Sequence, residues 1–258
     1  MRKIKESYNK KADNNSFILR NIFRPGSFYL AYLLMGAGVS ANLATIFGLV
    51  VGLISLLFFA MSDKVFYLGT LFYILYWFFD FADGNIARVS NSASYYGKFL
   101  DGMVDALIET LLPLSIAIGL FIKEGDIFYI AVGTSISVSL LFAFFAINRI
   151  SFFKRWIEIE RGSGGNTKEL NPLKSTRLPM KKIFNFQTDF KISLLLAATF
   201  TGMNKVLYII FAISIFIWAV ILIIAALQDA RKNLRHARTS RLDARFTDQK
   251  QVLRKGQV

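Results

Sequence analysis

From Leu43 to Met61 the chain carries no charged side chain, a run long enough for a helix to cross the ~30 Å hydrocarbon core of a bilayer. Further apolar runs follow at about Val65–Asp80, Tyr95–Ile122, Ile127–Ile147, Phe190–Phe200 and Val206–Leu227. The fifth of the six is short and is expected to begin before Phe190. A hydrophobic share of 54% supports the same class, since a soluble chain of this length rarely holds so much apolar side chain. The expected fold is an all-α integral membrane protein with six transmembrane helices.

An interfacial amphipathic helix is expected to precede them. Ser27–Leu34 is apolar but too short to span, and it follows Arg20, Arg24 and Pro25, as suits a helix lying in the headgroup region. Gly36 to Asn42 breaks the pattern, and Ser40 or Asn42 can cap the first span. The organisation read from these segments is a basic N-terminal segment with its juxtamembrane helix over 1–40, a six-helix transmembrane domain over 41–228 with a polar loop at 148–189, and a basic tail over 229–258. Within the loop, Gly162–Asn166 reads as a flexible hinge. The N-terminal stretch has no apolar core followed by small residues, so a signal peptide is not expected.

Thirty-one Lys and Arg against 17 Asp and Glu give a net charge of +14. No nucleic-acid motif accompanies it, and a nucleic-acid partner is not expected. Basic loops retained on the cytoplasmic side, and attraction to anionic headgroups or phosphorylated substrates, account for the charge better. Lys and Arg concentrate at the N-terminus, the Arg88 turn, the loop from Arg149 to Lys182 and the tail. The positive-inside rule then puts both termini and the Arg88 turn in the cytoplasm. The chain has no Cys, which excludes disulfides and thiolate chemistry, and its single histidine, His236, lies in the basic tail and is given no role.

Four carboxylates sit where lipid-facing segments should have none. Asp80 and Asp83 end the second span; Asp101 and Asp105 begin the third. Spacings of three and four place each pair on one helix face, and charges at such depth mark function by default. If the two helices are neighbours, the four can converge on a site for two hard, oxygen-preferring cations.

These residues belong to a longer pattern: Asp80, Asp83, Gly84, Ala87 and Arg88, then Gly97, Asp101 and Asp105. It resembles, position by position, the signature of the CDP-alcohol phosphotransferase (CDP-alcohol phosphatidyltransferase) family. Eight specified positions coincide by chance at on the order of 10⁻¹⁰ per starting point. The resemblance implies Mg²⁺-dependent transfer of a phosphoalcohol, most often phosphatidyl from CDP-diacylglycerol, to a hydroxyl acceptor with release of CMP, in phospholipid biosynthesis. It implies two ions, Mg²⁺ or Mn²⁺, one held by Asp80, Asp83 and Asp101 and the other by Asp101 and Asp105. Asp105 is also implied as the base that takes the acceptor proton. Gly84, Arg88, Ser94, Gly97 and Asn42 are implied on the substrate side. The family often has Pro before that Asn, whereas Ala41 stands here.

The partners implied are a CDP-alcohol lipid donor, an alcohol acceptor, membrane lipid and a second copy of the chain in a homodimer. A multi-pass protein of a bacterial inner membrane, with its active site cytoplasmic, is the matching location. The acceptor is not written in the signature. Lys181 and Lys182 are expectations for a phosphorylated polyol, with anionic lipid as the other reading. Asp189 is either an acceptor contact or a helix cap. Two alternatives remain at this level: a soluble CDP-alcohol donor with a lipid acceptor, and a transporter whose carboxylates bind cations in transit.

Overall fold

The computed structural model describes residues 16–61, 63–160, 180–203 and 205–255. Among them there is no strand. A π-helical turn, Leu19–Phe23, runs into α1, Arg24–Gly36. Then come α2 (Ala41–Met61), α3 (Phe66–Val89), α4 (Tyr95–Glu124), α5 (Phe128–Glu160), α6 (Met180–Thr201) and α7 (Lys205–Lys255). Among the described residues four segments are long and apolar enough to cross a membrane: Ala41–Met61, Tyr95–Glu124, Phe128–Lys154 and Lys205–Lys232. The expected hinge at Gly162–Asn166, and Lys174 and Arg177 beyond it, lie outside the described residues.

The chain packs as two compact units, Met1–Leu141 with Lys181–Trp218, and Phe142–Met180 with Ala219–Val258. In the first, α1 is fastened onto α3. Phe23 packs on Trp77, Phe78 and Phe81 with ring centroids 5.2–6.0 Å apart, and the Arg24 guanidinium lies 4.2 Å over the Phe81 ring. Phe28 and Ala31 turn inward onto Ala44, Ala82 and Ile86, while Tyr29, Tyr32 and Leu33 are exposed. The outer face of α1 is therefore apolar rather than charged.

Helices α3 and α4 meet through two rungs. The Tyr76 hydroxyl donates to Asp105 at 2.5 Å and the Tyr73 hydroxyl to Glu109 at 2.6 Å, so residue numbers fall on one helix as they rise on the other and the pair is antiparallel. Helix α6 joins them, with Lys191 at the level of Glu109 and Thr199 donating to Thr70 at 2.9 Å. Helix α4 is capped at both ends. Ser94 accepts from the Gly97 amide at 2.9 Å, and Gly125 closes the helix in the left-handed region at φ 71°, a conformation glycine adopts without a Cβ clash. In the turn that follows, a hydrogen bond from the Phe128 amide and then the Lys205 ammonium hold Asp126 below the usual carboxylate range.

Close backbone approach fixes α2 against α4. A Cβ built on Gly119 would lie 2.2 Å from the Phe59 carbonyl oxygen, and main chain cannot swing aside as a side chain can. Gly119→Ala is therefore expected to lower the melting temperature of the detergent-solubilised protein. The ~1 kcal/mol that Ala gains over Gly in a helix is smaller than the ~1–3 kcal/mol or more of a forced overpacking. An unchanged melting temperature would contradict this crossing.

In the second unit Asp229, fully buried, pairs with Lys154, joining α7 to α5. Both helices outrun the sequence expectation. The sequence pattern opens a polar connection at Asn148, yet α5 continues to Glu160, and the basic tail from 229 continues α7 to Lys255. Neither extension contains Gly or Pro, so nothing local stops the helix where the apolar run ends. The Arg149 guanidinium also covers the Phe153 ring at 4.9 Å, which shields apolar surface beyond Ile147, where the sequence pattern ends the span.

Candidate metal centre

The C-terminal part of α3 and the N-terminal part of α4 carry the carboxylates. Asp80, Asp101 and Asp105 each offer an oxygen, and these three oxygens lie within 4.8 Å of one another. That spacing is within the reach of one ion, because oxygen ligands ~2.0–2.6 Å from a centre stand roughly 3–5 Å apart. The donor set is all carboxylate, which suits hard divalent cations such as Mg²⁺ or Mn²⁺ rather than zinc or copper. The Asp105 position is defined by Tyr76, whose hydroxyl donates to Oδ1, with Asp80 also within hydrogen-bond reach of the Asp105 carboxyl group.

Asp83 stands apart from that trio. It is buried, and its Oδ2 accepts from the Thr45 hydroxyl of α2 at 2.5 Å. Three carboxylates are thus gathered and the fourth is turned toward α2. The three-residue step from Asp80 to Asp83 rotates the side chain by about 60° around the helix, which is enough to face a different neighbour.

The residues that the resemblance implies on the substrate side fall in two groups. Arg88, exposed at the end of α3, donates to Asn85 Oδ1 at 2.7 Å and folds back over Gly84, where a Cβ would meet its guanidinium at 3.3 Å. Asn85 in turn donates to Ser27 of α1 at 3.1 Å. Asn42, Ser94 and Gly97 form the other group. A Cβ on Gly97 would lie 2.9 Å from Asn42 Oδ1 and 3.3 Å from Ser94 Oγ, so the absence of a side chain at 97 makes room for that amide. Capping of α2 falls to Ser40, which accepts from the Leu43 amide at 3.3 Å, while Asn42 sits within the first turn.

The acceptor expectations fare differently. Lys182 is exposed in the first turn of α6, and the Lys181 side chain lies outside the described residues. Asp189 lies in the middle of α6, because that helix starts at Met180. It takes hydrogen bonds from the Ser16 hydroxyl at 2.6 Å and the Phe17 amide at 3.1 Å. It caps the helical entry to α1 rather than its own helix, and both its oxygens are already engaged there.

Sequence reasoning missed Thr45, Tyr73, Tyr76, Glu109 and Lys191. For Glu109 a signal existed. It follows Asp101 and Asp105 at the same four-residue interval, and with Lys191 it is a charge inside an apolar run.

Comparison with known proteins bears on what this arrangement does. The family model for CDP-alcohol phosphatidyltransferase matches residues 38–227. The chain belongs to that family. It is a CDP-alcohol phosphotransferase of phospholipid synthesis, carried on membrane-crossing helices, and the cation-transporter alternative falls away. No curated protein matches the chain by sequence. Among solved structures it is similar to the phosphatidylinositol phosphate synthase of Mycobacterium tuberculosis in complex with manganese and citrate, at 16% identity and a TM-score of 0.51, covering 81% of this chain and 88% of that one. A second structure of that synthase, with CDP-DAG bound, also scores 0.51 at 16% identity and covers 80% and 92%. At such identity the likeness speaks for the fold.

Proposed function

We propose that this member transfers a phosphatidyl group from CDP-diacylglycerol to a hydroxyl acceptor and releases CMP, using divalent ions held by the aspartates between α3 and α4. The observation that carries this reading is the convergence of Asp80, Asp101 and Asp105 oxygens within 4.8 Å, at the positions of the family signature. Manganese and CDP-DAG in the two structures of the similar synthase support the ion and the donor. The proposed setting is six spans, with α3 and α6 joining the four most apolar helices, and with both termini and the aspartates on the cytoplasmic side. A homodimer is part of the proposal, as the family resemblance implies.

In this reading Asp80, Asp101 and Asp105 hold one ion, Mg²⁺ or Mn²⁺. Asp83 with Asp101 would complete a two-ion set. The ions supply neutralisation of the diphosphate charge and of the leaving CMP. Phosphoryl-type transfer needs positioning more than covalent help, and the chain's residues provide it. Arg88 presents a planar fork to diphosphate oxygens, while Asn42, Ser94 and Gly97 shape the nucleotide side. Asp105 takes the proton of the attacking hydroxyl at Oδ2, the oxygen that Tyr76 leaves open.

The acceptor we infer is a phosphorylated polyol approaching from the first turn of α6. Its test is a screen of candidate alcohols against labelled CDP-diacylglycerol, with the lipid product identified by mass. With a phosphorylated acceptor, Lys182→Ala is expected to raise the acceptor's KM several-fold and leave that of the CDP-donor within about twofold, as loss of one exposed charge contact implies. Equal effects on both substrates, or a product formed only from a soluble CDP-alcohol and a lipid acceptor, would overturn this assignment.

A further inference from the structure

Asp101, Asp105 and Glu109 follow one another along α4 at intervals of four, so they share a face of the helix. Glu109 nevertheless stays out of the carboxylate trio. Lys191 of α6 donates to both its oxygens, at 2.7 Å to Oε1 and 2.5 Å to Oε2, and the Tyr73 hydroxyl donates to Oε1 at 2.6 Å. Lys191 is only 5% exposed, and its ammonium lies 5.4 Å from the Tyr73 ring centre and 5.3 Å from that of Trp77. As packing alone, an apolar pair of similar volume would serve as well or better, because desolvation offsets much of the Coulomb gain of a buried pair. The pair sits one helical turn from Asp105, which gives its charge a use.

We propose that Lys191 is a positioning residue for the metal centre: it neutralises Glu109 and so keeps a further carboxylate charge from drawing the ion away from Asp105. This rests on the metal-centre reading above. At an effective dielectric constant of about 20 a unit charge at such range still acts strongly on a divalent ion. Removing Lys191 exposes the ion to the Glu109 charge and tightens its binding in a displaced position. Removing the Glu109 charge leaves the Lys191 ammonium facing the ion and weakens its binding. Removing both returns the field to near its starting value. A brace with a packing role alone would lower thermal stability in either single variant without opposite effects on the ion.

The test is Mn²⁺ binding to the purified, detergent-solubilised protein at pH 8, read from the EPR signal of free Mn²⁺, with thermal melting alongside. Lys191→Met is expected to lower Kd about tenfold and Glu109→Gln to raise it about tenfold. Lys191→Arg and the double variant Glu109→Gln/Lys191→Met are expected to stay within about threefold of the unsubstituted protein. If Lys191→Met does not fold, the comparison of Glu109→Gln with the double variant decides: restored affinity supports the proposal, equal affinity overturns it. Shifts of the same sign in both single variants, or none, also overturn it. Absence of saturable Mn²⁺ binding by the unsubstituted protein would instead sink the metal-centre reading itself.

Discussion

Asp105→Asn is expected to reduce CMP release by at least about 10³-fold, the combined scale of a lost general base and a disturbed ion clamp. The substitution keeps the shape of the side chain and leaves an amide oxygen to accept the Tyr76 hydroxyl, which Asp105 now takes at 2.5 Å. The α3–α4 rung and the fold should therefore survive, and an unchanged melting temperature would show that they do. Under the proposed function, the variant loses the negative charge that would help hold an ion and the oxygen that would accept a proton. Turnover within tenfold of the unsubstituted protein would remove Asp105 from both roles.

Asp101→Asn is expected to act mainly through the ion. Its carboxylate oxygen is gathered with those of Asp80 and Asp105, and the family resemblance makes it the ligand common to both ions. Outer-shell substitutions at metal sites already cost about 10–100-fold in affinity, so loss of a direct ligand should raise the Mg²⁺ concentration for half-maximal turnover by about 100-fold or more. A Mg²⁺ titration of turnover checks this. A simple drop in maximal rate, with the Mg²⁺ dependence unmoved, would place Asp101 outside the coordination sphere.

Much of this site was legible because its information is local. Spacings of three and four in Asp80–Asp83 and Asp101–Asp105 fix a helix face within a single turn, and the Gly and Arg of the signature stand a few residues away. The helical character of the apolar segments was legible for a similar reason, since apolar runs of this length in lipid must satisfy their own backbone. Ends were less legible. Hydropathy marks where lipid stops, not where the helix stops, and the polar continuations of α5 to Glu160 and α7 to Lys255 hold no Gly or Pro to end them.

Long-range partners left no local trace. Thr45 meets Asp83 across 38 residues and Ser16 meets Asp189 across 173, so neither the turn of Asp83 toward α2 nor the capping role of Asp189 could be read from spacing. The apolar run begins at Phe190, and the helix, expected to start before it, begins at Met180, which puts Asp189 well inside α6. Its polar first half packs against protein as well as water: Asn185 and Thr188 are buried, as is Lys191 just beyond. Glu109 and Lys191 belong to the same class, charges whose meaning appears only when α4 and α6 are side by side.

The role proposed for the gathered aspartates in phosphatidyl transfer is tested most directly by CMP release from CDP-diacylglycerol by the purified protein, with the candidate acceptors present, before and after removal of divalent ions with a chelator. CMP formation is expected to stop on chelation, return with Mg²⁺ or Mn²⁺, and be lost in Asp105→Asn. CMP formation that persists after chelation, or at full rate in Asp105→Asn, would overturn that role.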